Sequence, residues 1–183
     1  MHSQGVVHRD IKPENVILTT ISNIPDVVKL LDFGIAKPLS DDLGPKLTET
    51  GTVLGTPAYM APEYARGERA DPLCDIYALG CVMYEALARR LPFGAANYNA
   101  LIFAIQGKEP EPLRSARPEI SAELAGLIAR AMAKTPAERF QSAREMREAL
   151  SPWLAIAASS RRSTSPIESA PTEELRDTPY TKR

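Results

Sequence analysis

Short runs of β-branched and aliphatic residues alternate with polar or proline-containing turns over the first 31 positions of the chain. These runs occupy residues 6–7, 16–18 and 27–31. Apolar runs of this length, bounded by turn residues, predict three short strands. The intervening segments carry charged and amide side chains, so the sequence places its most reactive groups in the loops between strands.

The pattern becomes helical after Pro72. Apolar residues share one face over residues 73–88, and Leu79 and Val82 make other faces apolar too, which is typical of a helix buried all round. Further helices are predicted at residues 97–106, 121–133 and 142–150, with Ser121 as an N-cap. The sequence therefore predicts a mainly α domain with a few short β-hairpin strands.

Two segments show no helical or strand period. Residues 37–52 are polar, contain Gly44 and Pro45, and predict a long loop. From residue 155 the composition shifts to Ser, Thr, Pro and Arg, and such a segment cannot bury enough apolar surface to offset its ordering entropy. We therefore predict a folded domain at 1–154 and a disordered tail at 155–183.

Composition and charge exclude several classes of partner. The chain has 183 residues, 44% of them hydrophobic, and a formal net charge of -1, so it offers no basic field for nucleic acid. The most apolar stretch, residues 76–84, falls well short of the ~20 residues that a bilayer requires. Cys74 and Cys81 lie too far apart on one predicted helix for a disulfide, and two reduced thiols indicate a cytoplasmic location.

Three motifs carry the candidate chemistry. The stretch HRDIKPEN at residues 8–15 is followed by DFG at 32–34, directly after the third predicted strand, and by GTPAYMAPE at 55–63, which closes the long loop. These motifs, in this order, resemble the signature set of the eukaryotic-type Ser/Thr protein kinases, and GTPAYMAPE is most similar to their bacterial branch. The resemblance covers about residues 1–153.

The resemblance implies the fold of a protein-kinase C-terminal lobe (α+β) and transfer of the ATP γ-phosphoryl group to Ser or Thr hydroxyls of protein substrates. It makes Asp10 the base or orienter of the acceptor hydroxyl, and Lys12 the group that steadies the transferring phosphate and marks a Ser/Thr specificity. It gives Asn15 and Asp32 to Mg²⁺, which prefers such hard oxygen ligands. The implied cofactors are ATP and Mg²⁺.

The resemblance also implies substrate-positioning and regulatory residues. Thr56 and Pro57 are expected to position the substrate beside the catalytic loop. Arg9 is expected to pair with a phosphorylated activation loop, for which Thr50 and Thr52 are the candidate sites.

Five further residues have structural roles by resemblance. Glu63 and Arg139, 76 positions apart, are expected to form a buried ion pair. Asp75 is expected to accept backbone hydrogen bonds from the catalytic loop, while His8 and Phe33 pack in the core.

The family normally places a further lobe before the catalytic loop, and no GxGxxG or VAIK-like motif occurs in these 183 residues. We therefore expect an incomplete kinase domain whose N-terminal lobe is supplied upstream or in trans. We also expect weak ATP binding by the isolated chain, and an exposed apolar patch beside the helix at 73–88. Two functions stay open: the catalytic half of a Ser/Thr kinase, and a catalytically inactive kinase-fold binding module or gene remnant.

Overall fold

The computed structural model describes residues 1–22, 24–31 and 57–162, with side chains described as far as residue 153. The chain divides into two compact units, Met1–Leu150 and Ser151–Arg183. All of the candidate active-site residues that the structure describes lie in the first unit.

The β structure of the described residues is one antiparallel hairpin. Strand β1 spans Val16–Ile21 and β2 spans Ile24–Leu30, with Val16 opposite Leu30 and an irregular register after Thr19. Two of the three predicted strands are thereby confirmed.

The strand predicted at residues 6–7 is wrong. These residues belong to no strand in the described part of the chain. A strand needs a ladder partner for its amides, and the Val6 amide instead donates to the Met1 carbonyl oxygen at 3.2 Å, within the first turn of the chain.

Six α-helices follow in the described residues. They are α1 (Pro62–Ala65), α2 (Pro72–Ala88), α3 (Tyr98–Gly107), α4 (Leu113–Ala116), α5 (Ala122–Ala131) and α6 (Ala143–Arg162). Short 3₁₀ turns occur at His2–Gln4, Pro13–Asn15, Pro57–Tyr59 and Pro136–Glu138. The predicted helices at 73–88, 97–106 and 121–133 are confirmed as α2, α3 and α5.

Side-chain caps explain where three of these helices begin. The Asp71 carboxylate accepts from the Leu73 amide at 2.8 Å at the start of α2, and Asn97 caps α3 by accepting from the Ala100 amide at 2.9 Å. The predicted cap at Ser121 is confirmed, because its hydroxyl accepts from the Leu124 amide at 3.2 Å.

Helix α6 extends beyond its predicted end at residue 150 and continues to Arg162 despite Pro152 inside it. The sequence at 155–158 is Ala-Ile-Ala-Ala, and alanine has the highest helix propensity, which favours continuation. The predicted boundary between domain and tail, at 154/155, therefore falls inside this helix. Residues 163–183 lie outside the described residues.

Helix α2 forms the centre of the apolar core. Its Tyr77, Cys81 and Tyr84 pack in one cluster with Ile105 of α3 and Ile128 of α5. A second cluster joins Ile76 of α2 to Ala131, Phe140 and Met146. The helix predicted to be buried all round is thus the element around which the others pack.

Exposed apolar surface lies in a different place from the one expected. None of the large apolar residues of α2 is exposed, whereas the hairpin exposes Leu18, Ile24 and Val28 by 64%, 63% and 61%. The expectation of a patch beside α2 is wrong, because the large apolar side chains of α2 are packed against neighbouring elements, whereas those of the hairpin remain exposed. No helix in the described ranges combines the length and apolar character needed to cross a bilayer.

Candidate active site

The loop at residues 8–15 brings three predicted catalytic side chains together. Lys12 Nζ donates to Asp10 Oδ2 at 2.8 Å, and Asn15 Nδ2 donates to the same oxygen at 3.0 Å. Asn15 Nδ2 also donates to the Asp10 carbonyl oxygen at 2.7 Å. These contacts fold the loop back on itself and hold the Asp10 carboxylate in one orientation.

The end of β2 anchors this loop from the other side. The Leu31 amide donates to the Asn15 carbonyl oxygen at 2.8 Å, and His8 Nε2 donates to the Leu31 carbonyl oxygen at 3.0 Å. The Asp10 amide donates to His8 Nδ1 at 3.3 Å, so the two ring nitrogens of this fully buried histidine have opposite roles. This hydrogen-bond pattern assigns the proton to Nε2.

Asp75, in the first turn of α2, holds the backbone of the loop at residues 8–15. Its Oδ2 accepts from the His8 amide at 2.8 Å and its Oδ1 accepts from the Arg9 amide at 2.9 Å. Arg9 has a φ of 66°, a left-handed conformation that is uncommon outside glycine. The buried carboxylate therefore holds the backbone in an unfavourable conformation one residue before Asp10.

Glu63 and Arg139 form the buried ion pair that the sequence predicts. Arg139 NH1 and NH2 donate to the two Glu63 oxygens, both at 2.7 Å, in a bidentate arrangement. The remaining guanidinium hydrogens donate to the carbonyl oxygens of Ala133, Leu73 and Lys134. All five donors of a fully buried arginine are thereby satisfied.

Arg139 keeps the Glu63 carboxyl ionised. Burial raises the pKa of the Glu63 carboxyl, but the hydrogen bonds and charge of Arg139 outweigh it and hold that pKa below its ordinary value. The Cys74 thiol donates to Glu63 Oε1 at 3.3 Å. Burial, with the nearby Glu63 charge, raises the pKa of Cys74 to about 12, so this thiol stays protonated.

The segment after the long loop enters the core through Pro57. Pro57 is buried and begins the 3₁₀ turn that ends at Tyr59. The Tyr59 hydroxyl donates to Glu85 Oε2 on α2 at 2.6 Å. Partial burial and the adjacent Glu85 carboxylate raise the pKa of Tyr59, so its hydroxyl remains a donor.

The structure brings together most of the predicted site residues that it describes. Asp10, Lys12 and Asn15 share one loop, and Asp75 joins that loop to α2 through His8 and Arg9. Five predicted residues lie outside the described residues: Asp32, Phe33, Thr50, Thr52 and Thr56.

Two contacts around the loop were missed by the sequence analysis. His2 Nε2 lies 2.8 Å from Asp75 Oδ2, and Glu85 accepts from the Tyr59 hydroxyl. Neither has a local sequence signal, because the partners are 73 and 26 positions apart and a single His or Glu is ordinary surface composition.

A comparison with family models matches residues 1–154 to the protein kinase domain. The chain belongs to the protein kinase family. The matched residues include the loop at residues 8–15, the 3₁₀ turn at Pro57–Tyr59 and the helical core.

Curated relatives carry the same family name. The chain is 44% identical over 154 residues to the serine/threonine-protein kinase Pkn1 of Myxococcus xanthus, covering 84% of this chain. It is 46% identical over 145 residues to pkn3 of the same organism and 39% identical over 146 residues to PknB of Mycolicibacterium smegmatis, covering 78% and 80% of this chain. The chain spans 22%, 26% and 23% of the lengths of these relatives.

Proposed function

We propose that this chain carries the catalytic loop of a serine/threonine protein kinase, with residues 1–154 as part of the kinase domain and 155–183 as a tail. The observation that carries this proposal is the Asp10 carboxylate, held at one oxygen by both Lys12 and Asn15. Phosphoryl transfer requires an oriented acceptor hydroxyl more than it requires covalent chemistry by the protein. A carboxylate fixed in this way provides that orientation.

The proposed reaction assigns a separate role to each side chain of the loop. The hydroxyl of a substrate serine or threonine donates to the Asp10 carboxylate, which accepts the proton as the new bond to the γ-phosphorus of ATP forms and the bond from that phosphorus to the bridging oxygen breaks, releasing ADP. The Lys12 ammonium, 2.8 Å from Asp10, supplies positive charge beside the incoming phosphoryl group. We assign this chain a preference for serine and threonine substrates because Lys12 and Thr56 match residues that mark Ser/Thr kinases in the family.

The residues present fit a bound Mg²⁺–ATP. Among the residues that the structure describes, the Asn15 side chain makes two hydrogen bonds, both through Nδ2, and its Oδ1 accepts none. This leaves an amide oxygen on a buried, fixed side chain, and we propose Asp32 as the accompanying carboxylate. When bound, the ion would neutralise charge on the phosphates of ATP.

We propose that activation and substrate binding involve the segment before Pro57. Thr56 and Pro57 would position the protein substrate, and phosphate on Thr50 or Thr52 would pair with Arg9. Mass spectrometry of the active enzyme tests the pairing with Arg9. If it finds no phosphate on Thr50 or Thr52, that assignment is wrong. A cytoplasmic location is part of the proposal, supported by the two free, buried cysteines.

The proposal includes a nucleotide-covering N-terminal lobe, supplied upstream or in trans. The exposed apolar side chains of the hairpin, Leu18, Ile24 and Val28, support a further covering element. The length of the curated relatives, about four times the matched segment, is consistent with additional domains.

A phosphoryl-transfer assay tests the proposed function. The chain, alone and joined to the N-terminal lobe of a relative, is incubated with radiolabelled ATP, Mg²⁺ and a serine-containing protein. We expect transfer by the joined form, and a fall of about 100-fold or more in Asp10→Asn, because the proton acceptor is removed while the side-chain shape is kept. The exposed Glu148→Gln is the matched control and should transfer at the unaltered rate.

Two results would contradict the proposal. Equal rates in the Asp10→Asn variant and the unaltered protein would remove Asp10 from the chemistry. Absence of transfer in every form that binds ATP would favour the catalytically inactive binding module instead.

A further inference from the structure

Lys134 holds the end of helix α3 from a distant segment of the chain. Its Nζ donates to the carbonyl oxygen of Ile105, in the last turn of α3, at 2.6 Å. The same nitrogen lies 4.1 Å from the ring centre of the buried Phe93. The last carbonyl oxygens of a helix lack partners within it, so Lys134 supplies a cap from 29 positions away.

The backbone of Lys134 is tied to the buried ion pair. Arg139 NH2 donates to the Lys134 carbonyl oxygen at 3.2 Å and to Glu63 Oε2 at 2.7 Å. Arg139 Nε donates to the carbonyl oxygen of the preceding residue, Ala133, at 2.8 Å. Lys134 therefore joins the Glu63–Arg139 pair, through its backbone, to α3, through its side chain.

A further hydrogen bond closes these contacts into a ring. Gln106, which follows Ile105 in α3, donates through Nε2 to the carbonyl oxygen of Ala65 at 3.0 Å. Ala65 ends α1, the helix that also contains Glu63. Helix α1, Arg139, Lys134 and α3 thus form one closed ring of hydrogen bonds, which we call the α1–α3 ring.

The surroundings of Lys134 disfavour its charge. Burial lowers the pKa of Lys134 from 10.5 to about 8; the charge of Glu109 opposes this shift and that of Arg139 adds to it. Helix α3 carries no charged side chain. Cys81 of α2 adds no charge near neutral pH, because burial raises the pKa of its thiol to about 12. A proton on Lys134 is therefore less stable in the α1–α3 ring than in water.

We propose that Lys134 is a proton-responsive link in the α1–α3 ring: the end of α3 is held most firmly when the amine is neutral, and proton uptake loosens it. Opening of this end exposes the amine to water, where it binds a proton more tightly, so lower pH favours opening. The opening equilibrium is constant well below pH 8 and falls as pH rises from about 8 to 10.5.

The link reaches the segment that is proposed to position the substrate. Helix α1 begins at Pro62, shortly after the 3₁₀ turn Pro57–Tyr59, so loosening of α3 removes one support of the helix that follows this turn. Any effect on substrate binding rests on the proposed function. The proton-responsive link between Lys134 and α3 does not.

Amide hydrogen exchange of the full 183-residue chain, corrected for the pH dependence of intrinsic exchange, tests this proposal. With a pKa of 10.5 in water and about 8 in the ring, opening at the Gly107 and Lys108 amides should be about tenfold rarer at pH 9 than at pH 7. The Met146 amide, in the first turns of α6, should not share this change.

Two lysine variants isolate the responsible group. Lys134→Arg keeps a cation that stays protonated throughout this range, so the pH dependence of opening at the end of α3 should disappear. Lys108→Met removes an exposed lysine directly after α3 and is the matched control, in which the tenfold change should remain.

A second measurement needs no variant that might fold poorly. In unaltered protein labelled with ¹³C at lysine, the Lys134 Cε signal should titrate near pH 8, and the α3 amide signals should shift with the same midpoint. Three results would overturn the proposal: Lys134 titrating together with the exposed Lys108, the same pH dependence in Lys134→Arg, or an equal change at the α3 and Met146 amides. None of these readouts uses ATP, so failure here is distinct from failure of the proposed function.

Discussion

Two ion pairs with similar distances between their charged atoms differ greatly in how much they contribute to the stability of the fold. Lys12 and Asp10 are 2.8 Å apart but partly exposed, and water screens such a pair. Arg139 and Glu63 are 2.7 Å apart and buried, so each depends on the other for compensation of its charge. The Lys12–Asp10 pair can therefore separate at little cost when another group binds to either side chain. The Arg139–Glu63 pair acts as a fixed structural link between distant parts of the fold.

Arg139→Met should therefore destabilise the fold strongly. It removes five satisfied donors and leaves the Glu63 carboxylate buried without its cation, which costs about 3 to 5 kcal/mol. Urea denaturation followed by circular dichroism measures the free energy of unfolding. The control is Arg144→Met, which breaks an exposed pair with Glu148 and should leave that free energy unchanged.

The double variant Glu63→Leu with Arg139→Met sharpens this test. If an uncompensated buried charge dominates the loss, the double variant should be more stable than Arg139→Met alone, because no charge remains buried. A double variant less stable than the single one would assign the loss to packing instead.

The same pair predicts a pH dependence with a definite sign. Arg139 holds the pKa of Glu63 below its ordinary value of 4.5, so the stabilisation is complete above that pH and is lost as pH falls through the lower, folded-state pKa. In Arg139→Met, burial alone should raise the pKa of Glu63, and acidification should relieve the buried charge. The stability difference between the two proteins should thus narrow from pH 7.5 towards pH 5, and a constant difference would contradict the account.

At the scale of elements, the close approach of α2 and α5 depends on a residue without a side chain. A Cβ built on Gly80 of α2 would lie 2.8 Å from Met132 Cγ and 2.9 Å from the Cβ of Ala131. Both distances are shorter than real carbon contacts, so one of the two helices would have to move. Close packing, rather than backbone freedom, is the reason for glycine at this position.

Gly80→Ala should cost about 1 to 3 kcal/mol of unfolding free energy through overpacking, despite the better helix propensity of alanine. Gly126→Ala is the matched control, since Gly126 lies in α5 and a Cβ added there would meet no other described atom within 4 Å. There the same substitution should stabilise by about 0.5 to 1 kcal/mol. Thermal unfolding of both variants distinguishes them, and a stabilised Gly80→Ala would show that the two helices can separate at little cost.

Sequence reasoning located most of the helices and singled out the loop at residues 8–15, but it did not find every contact between them. Apolar spacing predicted α2 and α3, and apolar spacing with the Ser121 cap predicted α5, because those signals are local. The strand predicted at residues 6–7 was wrong because two adjacent β-branched residues do not indicate whether a partner strand is present. The His2 contact to Asp75 was equally invisible, since it depends on the tertiary fold.

At the scale of the whole molecule, the described apolar side chains differ in burial between the helices and the hairpin. Residues such as Tyr77, Ile105 and Ile128 are almost fully buried, whereas the hairpin leaves three large aliphatic side chains more than 60% exposed. A single two-stranded hairpin is at best marginally stable in water. The loop at residues 8–15 is anchored at Leu31, directly after this hairpin, and at Asp75 in the core, so it connects the exposed hairpin to the buried helices.

The central claim is that the loop at residues 8–15 faces the metal and phosphates of a nucleotide. Paramagnetic broadening tests it directly and detects even weak binding: Mn²⁺–ATP is added to ¹⁵N-labelled chain, and NMR signals near the bound ion lose intensity. The account predicts selective loss of the Asn15 side-chain and Asp10 backbone signals, with Gly126 on α5 unaffected. Sharp Asn15 and Asp10 signals at saturating Mn²⁺–ATP, or loss centred elsewhere, would contradict it.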